Sequence, residues 1–195
     1  MLDLVAEINR GLIRFAPEYI CEPEKSVYRI YRDTRFSSDK TPYKTHIAAI
    51  FTRRGLEKHA GAAYYFSVSP KEIEIAGGVY MPGPQQLLAI RNHIAASCQE
   101  FRALALNRKL RNEMEDLKGE RLSRSPKGFD PAHPAADYIR MKQWLFYTML
   151  DSGLAVTDQL LPEIIKRFRL LSPFIGFLNR PFAKHRGASA QDLMF

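Results

Sequence analysis

Apolar residues recur at Leu4, Val5, Ile8, Leu12, Ile13 and Phe15, the spacing of one helical face, so residues 2–16 are predicted as an amphipathic helix that Pro17 stops. From residue 27 the period falls to two. Val27–Phe36, Lys44–Thr52, Ala62–Ser69 and Glu72–Tyr80 read as four successive strands. Ser69-Pro70-Lys71-Glu72 puts proline at the second position of a tight turn, which predicts that the third and fourth strands form a hairpin. Gly77-Gly78 inside the fourth strand points to a bulge or a close backbone approach.

Beyond Met81-Pro82-Gly83-Pro84 the helical period returns. Leu87, Ile90, Ile94 and Cys98 share a face, and Phe101–Met114 reads as one or two further helices. Residues 115–134 are polar and rich in Pro, Gly and Ser, which predicts a long ordered loop. Ala135–Lys142 reads as a short helix, Trp144–Leu150 as a fifth strand, and Leu160–Leu171 and Phe174–Leu178 as helices. Successive strands without intervening helices imply antiparallel pairing, because parallel neighbours need crossovers of a dozen residues or more. The expected fold is α+β: an antiparallel sheet of four to five strands covered by helices, one domain over residues 1–179, with 180–195 a poorly ordered basic tail.

The 195 residues carry 29 Lys+Arg against 21 Asp+Glu, a formal charge of +8, which favours an anionic partner without specifying one. Cys21 and Cys98 form no motif and fit a reduced, cytoplasmic protein. The N-terminal residues lack a secretory leader's basic and apolar segments, and no apolar run reaches the length of a membrane helix, so a soluble protein without a membrane partner is expected. Oligomeric state is not legible.

The charge is concentrated. Residues 29–59 hold eight Lys+Arg and three Asp+Glu. Arg29, Arg32, Asp33 and Arg35 fall within one predicted strand, where β-branched and aromatic residues are the norm. Its even positions, Tyr28, Ile30, Arg32, Thr34 and Phe36, are the more apolar and are expected to meet the helices. Its odd positions, Arg29, Tyr31, Asp33 and Arg35, would then face outward. Such an array can form cross-strand ion pairs, or can grip a carboxylate or phosphate through the guanidinium forks. The turn that follows adds Asp39, Lys40, Thr41, Tyr43, Lys44, Thr45 and His46.

Arg29-Ile30-Tyr31-Arg32-Asp33-Thr34-Arg35-Phe36-Ser37 and Asp39-Lys40-Thr41-Pro42-Tyr43-Lys44-Thr45-His46 resemble the signature of a family of bacterial and fungal conserved hypothetical proteins, domain of unknown function 2461. The resemblance continues through Gly77-Gly78-Val79-Tyr80-Met81-Pro82, Ile90-Arg91, Pro126-Lys127-Gly128-Phe129-Asp130 with His133-Pro134, and Phe177-Leu178-Asn179. It implies an α+β fold and no established activity, so it transfers no catalytic residue. Members of the family usually carry a further N-terminal helical stretch with an asparagine- and tryptophan-containing segment, and this chain reads as beginning partway through it.

Other chemistries find less support. His46, His59, His93, His133 and His185 are scattered without ligand spacing, so no metal site is expected, and His133 between prolines reads as a loop histidine with a structural hydrogen bond. There is no GxSxG, GxxxxGK[ST] or GxGxxG, and no cofactor is expected. Tyr31, Tyr64, Tyr65 and Phe66 supply aromatics that a nucleic acid could stack on, though aromatics at alternating strand positions are more often core. Three readings follow. The first is a domain binding a phosphate-bearing or other anionic ligand through Arg29, Arg35, Lys40 and Lys44, organised by Arg32–Asp33. The second is an enzyme using Asp33, Tyr43 and His46. The third is a nucleic-acid binder.

Overall fold

A computed structural model describes residues 1–31, 43–56 and 60–183. The first helix, α1 (Leu2–Leu12), buries Val5, Ile8 and Leu12. It ends four residues earlier than the periodicity predicts. Ala16, directly before Pro17, is driven out of the helical region, and a 3₁₀ turn at Pro17–Tyr19 follows. The short helix α2 (Pro23–Ser26) then leads to the sheet.

The sheet is an antiparallel meander of β1 (Ile47–Phe51), β2 (Ala63–Val68), β3 (Glu72–Val79) and β4 (Trp144–Asp151), in the order β1-β2-β3-β4. The β2–β3 hairpin turns as expected. The Ser69 hydroxyl donates to the Glu72 carbonyl at 2.9 Å and accepts from the backbone N–H groups of Lys71 and Glu72. At Gly77-Gly78 the β3–β4 register runs unbroken from Glu72↔Asp151 to Val79↔Trp144, so the glycines serve close approach and there is no bulge.

The predicted first strand is corrected. Its described residues make only isolated antiparallel bridges, Val27↔Ala49 to β1 and Tyr31↔Tyr43 to the returning chain. The parity is also inverted. Residues directly opposite in a pair share a face, and Ala49 is wholly buried under the helices. Val27 therefore packs on the helical side, and Tyr28 lies on the other face. Ile30 and Tyr31 are both exposed, so no alternation extends along the segment. Arg32, Asp33, Thr34, Arg35 and Phe36 lie outside the described residues.

Helices α3 (Pro84–Ala96), α4 (Cys98–Ala105), α5 (Arg108–Met114), α6 (Ala136–Ile139) and α7 (Leu160–Asn179) complete the fold. The Asn107 side chain caps α5 by accepting from the Leu110 N–H at 3.0 Å. α7 is one continuous helix where the sequence predicted two. It passes through Pro173, whose ring costs an internal hydrogen bond, but Leu171, Phe174, Ile175, Phe177 and Leu178 on either side are fully buried. That burial outweighs a local penalty of about 3 kcal/mol. Phe168 packs its ring on Tyr64 and Phe51, and Phe174 packs on Phe146, which locks α7 to one face of the sheet. After α7, Arg180–Phe182 forms a 3₁₀ turn in which Arg180 is paired with Glu100. Residues 184–195 lie outside the described residues. No described helix is long and apolar enough to cross a membrane.

Candidate functional site

Every second strand residue points away from the helices, and these residues line a cavity of about 610 Å³. Its floor is Ala63 on β2 and Ala76 and Gly78 on β3, with the backbone of Gly77 between them. Its walls are tyrosines: Tyr28 at the β1 edge, Tyr65 on β2, Tyr147 on β4, and Tyr80 just past β3. Alternating large and small residues in this way makes a trough, because a tyrosine stands well above an alanine floor on the pleated surface. Register places Tyr65 and Tyr147 on opposite sides of Ala76.

Both of those walls are braced from outside. The Tyr28 ring meets Tyr65 edge-on, with centroids 6.3 Å apart. The Lys118 ammonium lies 3.7 Å from the centroid of Tyr147 and also binds the Glu115 carboxylate at 2.7 Å. Lys118 is bridged to Leu145 on the edge of β4 remote from β3. A second cation stands at the opposite rim, where the Lys44 ammonium is 5.5 Å from the Tyr28 ring centroid.

One carboxylate opens into the trough. Glu74 is half-buried on β3, and among the described residues no cation or hydrogen-bond donor meets its side chain. Burial raises its pKa above the ordinary 4.5, and the neighbouring Glu72 adds to the effect. Burial likewise raises the phenol pKa of Tyr28 and Tyr65. A carboxyl whose folded pKa is raised opposes folding once it ionises. The penalty is absent below the unfolded value and develops as pH rises through it toward the folded pKa. Glu74→Gln is therefore expected to melt higher than the parent at pH 7, with the two melts converging below about pH 4. A pH series of thermal melts checks this, and equal melts at neutral pH would show that Glu74 bears no such cost.

The residues expected from sequence distribute unevenly around this trough. Lys44 reaches it through Tyr28, and Arg29 is exposed on the same edge. Tyr43 is exposed and pairs its ring with Tyr31, with centroids 5.5 Å apart. His46 is half-buried, and neither it nor Tyr43 lines the cavity. Asp33, Arg32, Arg35 and Lys40 lie outside the described residues. Of the aromatics considered for stacking, Tyr64 and Phe66 belong to the core and Tyr65 faces the trough. Glu74, Tyr147 and Lys118 escaped the sequence reading. The alternation that would expose them, Glu74-Ala76-Gly78 beside Leu145-Tyr147-Met149, becomes a site only once β4 is known to lie next to β3.

Other motif residues have structural tasks. Arg91 is buried and donates from Nη2 to the Met141 carbonyl at 3.1 Å. His133 accepts at Nδ1 from the Ala135 N–H at 3.0 Å, the hydrogen bond expected of a loop histidine. Pro126–Phe129 line a second concavity of about 590 Å³, open to solvent, in which Arg140 is already paired with Asp137. Among the described residues no group of three or more His, Cys, Asp or Glu side chains converges as a metal ion requires.

A protein-family model described as a conserved hypothetical protein, DUF2461, matches residues 1–177. No curated protein and no solved structure matches the chain. The family match spans nearly the whole of the α+β domain, from α1 to the last turn of α7, and the chain belongs to the DUF2461 family of conserved hypothetical proteins.

Proposed function

We propose that this chain is a soluble, cytoplasmic binding domain for an anionic small molecule, whose body lies in the tyrosine-walled trough and whose charge meets the cationic rim at Lys44. The trough carries the proposal: a cavity of about 610 Å³ with aromatic walls is the size and character of a small-molecule site. Lys44 against Tyr28 puts positive charge at one rim. In this reading Arg29, Arg35, Lys40 and Lys44 contact the anion, and Arg32 with Asp33 organises them. Guanidinium forks suit carboxylate and phosphate oxygens, and a concave wall of low dielectric strengthens each contact.

The test is a thermal melt of the protein against phosphorylated metabolites, nucleotides and short oligonucleotides. At a ligand concentration one hundred times Kd, binding adds about 2.7 kcal/mol of stability, a rise in Tm of roughly 5–10 °C for a domain of this size. Lys44→Ala and Arg35→Ala are each expected to weaken binding about tenfold, the loss of one charge-assisted contact, with the unliganded melt nearly unchanged. A melt that no anion shifts overturns the reading. A preference for oligonucleotides, with affinity falling log-linearly with salt, would replace it with nucleic-acid binding.

A further inference from the structure

Resting on that reading, we infer that the ligand is a nucleoside phosphate whose base slots between Tyr65 and Tyr147 above Ala76, with its N–H edge toward Glu74. Tyr65 and Tyr147 lie on β2 and β4 with Ala76 of β3 directly between them. Two strand spacings separate them by about 10 Å. A planar ring sandwiched between two others needs about 7 Å, twice the contact distance of carbon atoms. The slot therefore admits one heterocycle, and a methyl group is all that stands on its floor.

The braces decide which ring faces look inward. Lys118 comes from the side of β4 away from β3, so its ammonium takes the outer face of Tyr147 and leaves the inner face to the slot. Tyr28 reaches Tyr65 from across β1, so that contact is made on the side of Tyr65 away from Ala76. Lys118 also selects the occupant. A cation on the outer face of Tyr147 already draws on that ring's negative quadrupole, which disfavours a second cation on the inner face and favours an electron-rich ring. This argues for a nucleobase over a quaternary ammonium, which tyrosines and a glutamate could otherwise cage.

Positive and negative charge are separated across the trough. Tyr28 with Lys44 at the rim, then Ala48, Ser67 and Glu74, occupy successive chains of the sheet. Three spacings put the Tyr28 segment about 14 Å from Glu74, so the cationic rim and the carboxylate stand apart. Glu74 is half-buried without a partner among the described residues, so a donor delivered by the base would satisfy it. A phosphate at that end would instead be repelled.

Guanosine 5′-monophosphate, guanosine and ribose 5-phosphate separate the two parts of the ligand in isothermal titration. Guanosine 5′-monophosphate is expected to bind at least tenfold more tightly than ribose 5-phosphate. Ala76→Leu, which fills the floor of the slot, should abolish that preference while leaving ribose 5-phosphate unaffected, and Glu74→Gln should weaken the nucleotide about tenfold. Tyr147→Leu removes a wall and serves the same purpose if Ala76→Leu fails to fold. Equal affinity for the nucleotide and ribose 5-phosphate overturns the slot but leaves the anion site standing. Guanosine binding as tightly as its phosphate, with sensitivity to Ala76→Leu, keeps the slot and overturns the anion site. No binding of any probe overturns both.

Discussion

Asn179→Ala is expected to destabilise the protein by roughly 3–5 kcal/mol, a fall in Tm of about 10 °C or more. The residue ends α7 and is only 1% exposed. Its Oδ1 accepts from the Ala62 N–H at 2.7 Å, and its Nδ2 donates to the Ala62 carbonyl at 2.8 Å and to the Tyr19 hydroxyl at 2.7 Å. One amide thus pairs both backbone groups of the residue leading into β2, and ties them to the 3₁₀ turn after α1. Tyr19 and Ala62 are themselves buried, so alanine at 179 would leave three polar groups unpaired, at about 1–3 kcal/mol each before relaxation. The neighbourhood is closed to easy repair, since even a Cβ on Gly61 would come 2.3 Å from the Asn179 Oδ1. Urea melts of Asn179→Ala check the expectation, and a loss under 1 kcal/mol would sink it. Asn179→Asp separates the roles. It keeps the acceptor for Ala62 N–H but turns a charged oxygen toward the Ala62 carbonyl, so its deficit against the parent should shrink at acid pH, where the carboxyl can donate.

Asn179 also illustrates what the sequence reveals and what it hides. Periodicity found each strand of the sheet and the amphipathic helices, because burial on one face imprints a period of two or 3.6 on the chain. The Ser69-Pro70 turn was equally legible, since its chemistry is local. Pro173 misled because a local rule, that proline ends helices, yields where apolar residues on both sides are buried together. The edge segment misled differently. Counting apolar residues put Tyr28 under the helices, but parity there is set by a single bridge, Val27↔Ala49, that no local pattern encodes. The candidate site was half visible. Arg29 and Lys44 drew notice as charges in a strand-like run. Glu74, Tyr65 and Tyr147 occur in ordinary alternating strands, and Tyr147 joins the other two only through the β3–β4 pairing of residues some seventy positions apart.

Gly78→Ala is expected to cost roughly 3–5 kcal/mol, while Gly77→Ala, one residue away, should cost about 1 kcal/mol. The difference lies in what each new methyl group would meet. At Gly77 a Cβ would come within 2.8 Å of Leu171 Cδ1 and 2.9 Å of Ile175 Cδ1, the tips of two side chains on α7 that can turn aside. At Gly78 it would lie 2.0 Å from the carbonyl oxygen of Trp144, a backbone atom fixed by the β3–β4 pairing of Gly78↔Leu145 and Val79↔Trp144. The Gly78 φ of +135° is also one that L residues rarely adopt, so the substitution strains the backbone as well as crowding it. Relief requires β4 to move away from β3. That would displace Tyr147, which stands on β4, from Ala76 on β3, and so widen the trough. Gly78→Ala should therefore lose both stability and ligand-induced stabilisation, whereas Gly77→Ala, whose methyl group faces α7, should lose a little stability and retain binding. Denaturant melts of the two variants with and without ligand distinguish these outcomes, and equal losses in both would mean that the strand contact at Gly78 does not govern the spacing of β3 and β4.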